Sequence, residues 1–225
     1  MGLVARRADR LRSLAASLPA STEIHEADVR DIAAMRQAAE DFMARQGVPD
    51  IVIGNAGISR GTLTELEDDA EVFRDTLETN VIGLVHTFHP FIDPMRANGR
   101  GTLVGIASVA GIRGLPGASA YSASKAAAIG YLEALRVELH GSGVRVATLC
   151  PGFIETPMTA KNPYPMPFIL GVDDAARRIA RAIDSGTSYR VIPWQMAIVG
   201  KLLRLLPNVL YDSLLAGRAR KPRNP

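Results

Sequence analysis

The sequence predicts an α/β protein built on a doubly wound parallel sheet, and three observations carry that expectation. Short apolar runs alternate with longer segments of helical period almost from end to end. Strands joined by helices of that length require right-handed crossovers, which make the strands parallel and place helices on both faces of the sheet. Runs such as "DIVIG" and "TLVGIA" lack a clean apolar/polar alternation, the pattern of strands covered on both sides.

Each element follows in order. "GLVA" reads as a strand, and "RADRLRSLAASL" as a helix whose leucines share one face. "EIHEADV" is the next strand and leads into the helix "RDIAAMRQAAEDFMARQG", closed by Gly47. "DIVIGNAG" is a buried strand ending in a glycine turn. "DAEVFRDTLETNVIGLVHTFHPFIDPMRANG" carries a long helical pattern that Pro90 and Pro94 should bend or end, since proline lacks the N–H and crowds the carbonyl four residues back. "GTLVGIAS" is a strand, followed by the helix "ASAYSASKAAAIGYLEALR". "VRVATLCPG", "VDDAARRIARAIDSG" and "YRVIP" add a strand, a helix and a last strand.

A length of 225 residues suits one domain with a sizeable core. The formal net charge of +3 is spread along the chain except in the tail "GRARKPRNP", so a nucleic-acid footprint is not indicated. A single cysteine, Cys150, excludes an internal disulfide framework and suits a reducing, cytoplasmic compartment. The opening "MGLVARRADRLRSL" has no sustained apolar core of the secretory kind. Lys201, Arg204 and Pro207 interrupt the best apolar run before it reaches membrane-spanning length. The four histidines have no metal-like spacing, and no metal site is expected.

In such sheets ligands bind beyond the carboxyl ends of the strands. Those ends carry Arg6 and Arg7, then Asp28, then Asn55, Ala56 and Gly57, then Ser108, then Pro151 and Gly152. Tyr121 lies near the start of the helix after Ser108, and Lys125 follows one turn later on the same face. A phenol titrates near ~10 and a neighbouring cation favours its ionised form, so the pair reads either as a proton donor tuned toward neutral pH or as aromatic packing with a solvated basic tip.

The segments "NAGIS", "ETNVIG", "IASVAG", "YSASK" and "LCPGFIETPM" together resemble the short-chain dehydrogenase/reductase family, from Met1 to about Pro193. The resemblance implies an oxidoreductase that moves hydride between NADP(H) and a carbonyl or secondary alcohol of a small, hydrophobic substrate. It makes Tyr121 the general acid in reduction and has Lys125 lower its pKa and hold the nicotinamide ribose. Ser108 would grip the substrate oxygen, although a strand-end cap is the plainer role for a serine there. Asn80 would mark a helix distortion that seats a water beside the lysine; a core amide satisfied by neighbouring backbone is the alternative. On the cofactor side, Asn55, Ala56 and Gly57 would lie beneath the adenine-ribose half, and Asp28 with Val29 would meet the adenine. Pro151 and Gly152 would form the turn before Thr156, which would contact the nicotinamide carboxamide. Arg6 stands where NAD-preferring relatives carry an acidic residue, so the resemblance favours NADP over NAD. Family members commonly pair through the helices carrying Asn80 and Tyr121, which implies a homodimer or homotetramer.

One departure stands out. The family opens with a strand and the loop T-G-x-x-x-G-x-G, and this chain begins on what should be the second strand, a unit of roughly 30 residues later. Three explanations are open: a gene start placed too far downstream, a fragment, or direct pairing across the gap in a binding-deficient relative. The first is preferred, with weak NADP binding expected of the chain as it stands. The same departure keeps a second function open, that of a catalytically impaired cofactor sensor or scaffold. The dinucleotide-binding domain is expected over 1–193. Residues 194–225 form an amphipathic helical tail broken at Pro207, read as a lid or a subunit contact in preference to a membrane-surface helix.

Overall fold

Every strand pairing in the computed structural model, which describes residues 1–160 and 162–223, is parallel, but the sheet is in two pieces. β1 (Gly2–Ala5) pairs with β2 (Glu23–Glu26), with Gly2 opposite Glu23. β3 (Ile51–Gly54), β4 (Gly101–Ile106), β5 (Val144–Pro151) and β6 (Tyr189–Ile192) form the second piece in that order. Lys161, in the segment after Thr156, and the last two residues of the tail lie outside the description.

Helices α1 (Ala8–Ser17), α2 (Ile32–Gln46), α3 (Asp69–Leu77), α4 (Gly83–Ala97), α5 (Ser119–Glu138) and α6 (Val172–Asp184) make the crossovers. α7 (Trp194–Leu205) and α8 (Asn208–Leu215) follow β6. The main core lies between the four-stranded piece and α4 and α5, where Phe88, Met95, Leu103 and Leu132 are fully buried. Burying such side chains contributes about 1.5–3 kcal/mol each.

Of the two outcomes expected at the prolines, ending is ruled out: α4 runs through Pro90 and Pro94, and the Asn98 N–H still donates to the Pro94 carbonyl. A mid-helix proline costs about 3 kcal/mol, and the buried stripe of Leu84, Phe88 and Met95 is large enough to offset it. β3 is covered on one face only. Val52 and Gly54 point to α4, where a Cβ on Gly54 would run into Leu84 and Phe88, while Ile51 and Ile53 are exposed. The gap is not closed by direct pairing: β1 bonds β2 only, and β3 bonds β4 only. The facing strands stay in water, so their free backbone groups are hydrated rather than buried and unsatisfied.

What joins the two pieces lies outside the strands. α2 packs on α4, and the His86 ring Nδ1 lies 2.9 Å from the Val29 carbonyl. Gly83 leaves room for Val29 against the start of α4, since a Cβ there would stand 2.5 Å from the valine methyl. Arg30 adds a 3.6 Å ion pair to Asp75.

Candidate active site

The carboxyl ends of β3, β4 and β5 meet the first turns of α5, and this junction gathers the residues singled out from the sequence. Ser108 follows β4 in extended backbone and opens a short 3-10 turn, Val109–Gly111. Its hydroxyl accepts from the Ala110 N–H at 3.1 Å, so the serine does cap the turn. Accepting there leaves the O–H proton free to face outward, toward the neighbouring Tyr121 phenol.

Tyr121 sits in the first turn of α5, partly buried. Burial pushes its phenol above the ordinary value, while the neighbouring Ser108 side chain pulls the other way. The lowering toward neutral pH expected from Lys125 does not prevail. The Lys125 ammonium donates 2.7 Å to the Ile106 carbonyl and stands 5.9 Å from the centroid of the Tyr121 ring, so it supports the ring from beneath rather than bonding its oxygen.

Lys125 is itself buried without a carboxylate, and burial lowers its pKa to about 8. In the unfolded chain the amine keeps its proton to about 10.5. Between those values the unfolded state binds more protons, so stability should rise with pH across that window. The rise should be on the order of 2 kcal/mol. The Cys150 thiol and the Tyr121 phenol, both raised by burial, act in the opposite direction at higher pH, so the lysine contribution is isolated by comparison with Lys125→Met. From pH 8 to 9 the urea midpoint should rise relative to that of the variant, which keeps only the opposing thiol and phenol contributions. Equal slopes in the two would contradict a buried, unpaired amine.

Asn80 lies in a π-helical turn, Glu78–Ile82, between α3 and α4, so the expected distortion is present. Its buried side chain also makes three hydrogen bonds. Oδ1 accepts from the Ile58 N–H at 2.8 Å, and Nδ2 donates to the Ile58 carbonyl and the Ser124 hydroxyl, both at 2.9 Å. Ser124 in turn donates to the Tyr121 carbonyl. One amide thus ties the loop after β3 to the helix that carries Tyr121.

Gly57 lies over this junction: a Cβ there would come 3.2 Å from Asn80 Oδ1 and 3.6 Å from Lys125 Nζ. The absent side chain keeps one face of the lysine open. Asn55 and Ala56 are exposed at the end of β3. Pro151 ends β5, and the Gly152 N–H donates to the Ile192 carbonyl at 2.7 Å. Thr156 accepts at its carbonyl from the Thr159 and Ala160 N–H groups, and its own N–H donates to Thr159 Oγ1. At the far end, Asp28 takes a two-point contact from Arg30, with Arg6 3.8 Å away, and these guanidinium groups hold its carboxyl low, Arg30 foremost.

These groups suit the two ends of a dinucleotide: an amine beside a glycine at one, and an arginine with a carboxylate at the other. No glycine-rich turn stands between them in residues 1–57, so those residues offer no cradle for the linking phosphates.

Several residues were not found from sequence. Thr62, after β3, accepts from the Ala120 N–H at 3.2 Å and shares a hydrogen with Ser119, so it caps α5 from a loop 58 residues away. Tyr164 stands close enough to Tyr121 that ionisation of one disfavours the other, and its ring lies 6.3 Å from that of Phe153. The chain returns after α8 to this same edge. The Gly61 N–H donates to the Pro222 carbonyl, and Arg223 grips the buried Asp69 carboxylate through two nitrogens. Lys221 reaches Asn162 at 3.5 Å. Residues 221–223 thus pack against the loop after β3 and the start of α3. Among the described residues no cluster of His, Cys, Asp or Glu is arranged for a metal ion.

Comparison with known proteins agrees with this geometry. Residues 1–165 match the short chain dehydrogenase family model. An uncharacterized oxidoreductase of Myxococcus xanthus is 38% identical over 203 residues, covering 90% of this chain and 80% of its own. A 2-dehydro-3-deoxy-L-rhamnonate dehydrogenase (NAD(+)) of a Sphingomonas strain is 40% identical over 143 residues, 64% of this chain and 57% of that protein. In three dimensions, a short chain dehydrogenase of Burkholderia cenocepacia in complex with NADP superimposes with a TM-score of 0.80 at 25% identity, covering 96% of this chain and 85% of the other. The chain belongs to the short-chain dehydrogenase family of oxidoreductases.

Proposed function

We propose that this oxidoreductase interconverts a carbonyl and a secondary alcohol of a small hydrophobic substrate, with NADP(H) as the partner. The observation that carries the reading is the convergence of the Ser108 hydroxyl, the Tyr121 phenol and the Lys125 amine at one sheet edge. The dinucleotide, when bound, supplies or accepts the hydride.

Ser108 would donate its free O–H proton to the substrate oxygen and hold it beside Tyr121. Tyr121, kept protonated by its burial, would release its proton to that oxygen as negative charge builds there. The Lys125 ammonium and the Ser108 hydroxyl would then stabilise the phenolate. Lys125, open on the side left by Gly57, would also hold ribose hydroxyls, and Asn80 would keep the loop and α5 in register. Phe153 and Tyr164 offer an apolar wall, which supports a hydrophobic substrate. The exposed small-residue face of α5, with Ala123, Ala126, Ala127 and Gly130, supports pairing of two copies through that helix.

Arg6 supports NADP over NAD, because a guanidinium beside the ribose forms charge-assisted bonds to a 2′-phosphate. Arg6→Gln should weaken NADPH binding about 10–100-fold and leave NADH binding nearly unchanged. Titration of nicotinamide fluorescence with each cofactor tests this; equal effects on both would assign Arg6 no part in the preference.

A further inference from the structure

α7 and α8 are fastened on one side and bare on the other. Met196 and Tyr211 are buried, Gly200 lies against Ile112, and the Tyr211 hydroxyl donates to the Gly114 carbonyl. Arg113 locks the turn between them: it donates to the Leu203 and Leu206 carbonyls and to Asn208, with its guanidinium 3.8 Å over the Tyr211 ring. Those carbonyls are the free ones at the end of α7, where a cation is favoured. The helix pair is therefore held in one orientation, and its outward face is set by the fold.

That outward face is apolar. Trp194, Ile198, Leu202 and Leu205 recur at one-turn spacing along α7 and are 64%, 51%, 59% and 80% exposed. Val209 and Leu210 continue the patch onto α8, at 80% and 57%. A scatter of exposed leucines is ordinary, but a row this continuous marks a surface that meets something.

The charges around it select the occupant. From 194 to 220 the chain carries Lys201, Arg204, Arg218 and Arg220 against one acid, Asp212, and all five are exposed. A second copy meeting this face about a two-fold axis would bring the same basic rim against itself. A bilayer bearing anionic headgroups complements both features, apolar stripe and basic rim, and a tryptophan at the end of the stripe suits the headgroup level. No helix among the described residues is long and apolar enough to cross a membrane, so the pair would lie on it.

The geometry points to an anionic lipid surface as the partner of α7 and α8. This rests on the helix pair alone and holds independently of the reductase reading. Trp194 is the only tryptophan in the chain and sits on the patch, so it reports contact directly. The full chain is mixed with vesicles of phosphatidylcholine, or of phosphatidylcholine with phosphatidylglycerol, and followed by sedimentation and tryptophan emission. Blue-shifted emission and co-sedimentation are expected with the anionic vesicles and should weaken as salt rises. Leu205→Glu with Val209→Glu, at two positions that touch little protein, should cut binding roughly tenfold or more with circular dichroism unchanged. Protein left in the supernatant with unshifted emission overturns the proposal, as does equal, salt-insensitive binding to both vesicles. A blue shift that needs no lipid and follows protein concentration, with a doubled sedimenting mass, would make a second copy the occupant instead.

Discussion

Replacing Tyr121 with Phe should reduce carbonyl turnover by about 10²–10⁴-fold, the usual contribution of a positioned general acid. The change removes one oxygen and keeps the ring, so the 5.9 Å stacking of the Lys125 ammonium beneath it is preserved. Ser108 keeps its bond from the Ala110 N–H, and the cofactor-side groups at Arg6, Asp28 and Gly57 are not touched. Cofactor affinity should therefore hold while the rate collapses. Stability should change little, because the ring and its packing are kept. Steady-state NADPH oxidation and thermal melting of the two proteins measure both. A variant with normal turnover would place the proton donor elsewhere.

Asn80→Ala should be the most damaging single change to stability. It strips three partners at once: the part-buried Ile58 N–H and carbonyl and the buried Ser124 hydroxyl. A buried polar group left without a partner costs about 1–3 kcal/mol, so a loss of several kcal/mol is expected. Total stabilities of about 5–15 kcal/mol leave little margin for that, and here the two sheet pieces are joined only through helices and loops. Asn80→Asp keeps the shape and the acceptor for the Ile58 N–H but faces the Ile58 carbonyl with an oxygen, so it should be intermediate at best. Chemical denaturation ranks the three. A loss below about 1 kcal/mol in Asn80→Ala would mean that the amide does not tie the loop to α5.

Much of this architecture was legible because its causes are local. Alternating apolar runs and helical periods located the six strands of the described residues, and the one-turn spacing of Tyr121 and Lys125 put them on one helix face, where they are found. That the sheet divides between β1 and β3 was not read from the sequence, since strand pairing across the fold leaves no local mark. What escaped is long-range. Nothing near α5 announces that Thr62 will cap it, since Ala118 at its cap position has no hydrogen-bonding side chain. Asp69 looks like one more acid at a helix entrance until Arg223 reaches it across the fold. That α4 would continue through Pro90 and Pro94 was equally hidden: propensity is a local cost, and the burial that outweighs it belongs to the core.

The central claim is that Ser108, Tyr121 and Lys125 act together on one carbonyl oxygen. It is tested most directly by a single-turnover experiment, with the protein in excess over NADPH deuterated at the transferred position and a panel of apolar ketones, the alcohols being read by mass spectrometry. Deuterium should appear in at least one alcohol with the wild type and vanish in Tyr121→Phe. Label transferred equally by both proteins, or from no ketone by folded wild type with NADPH bound, would contradict the account.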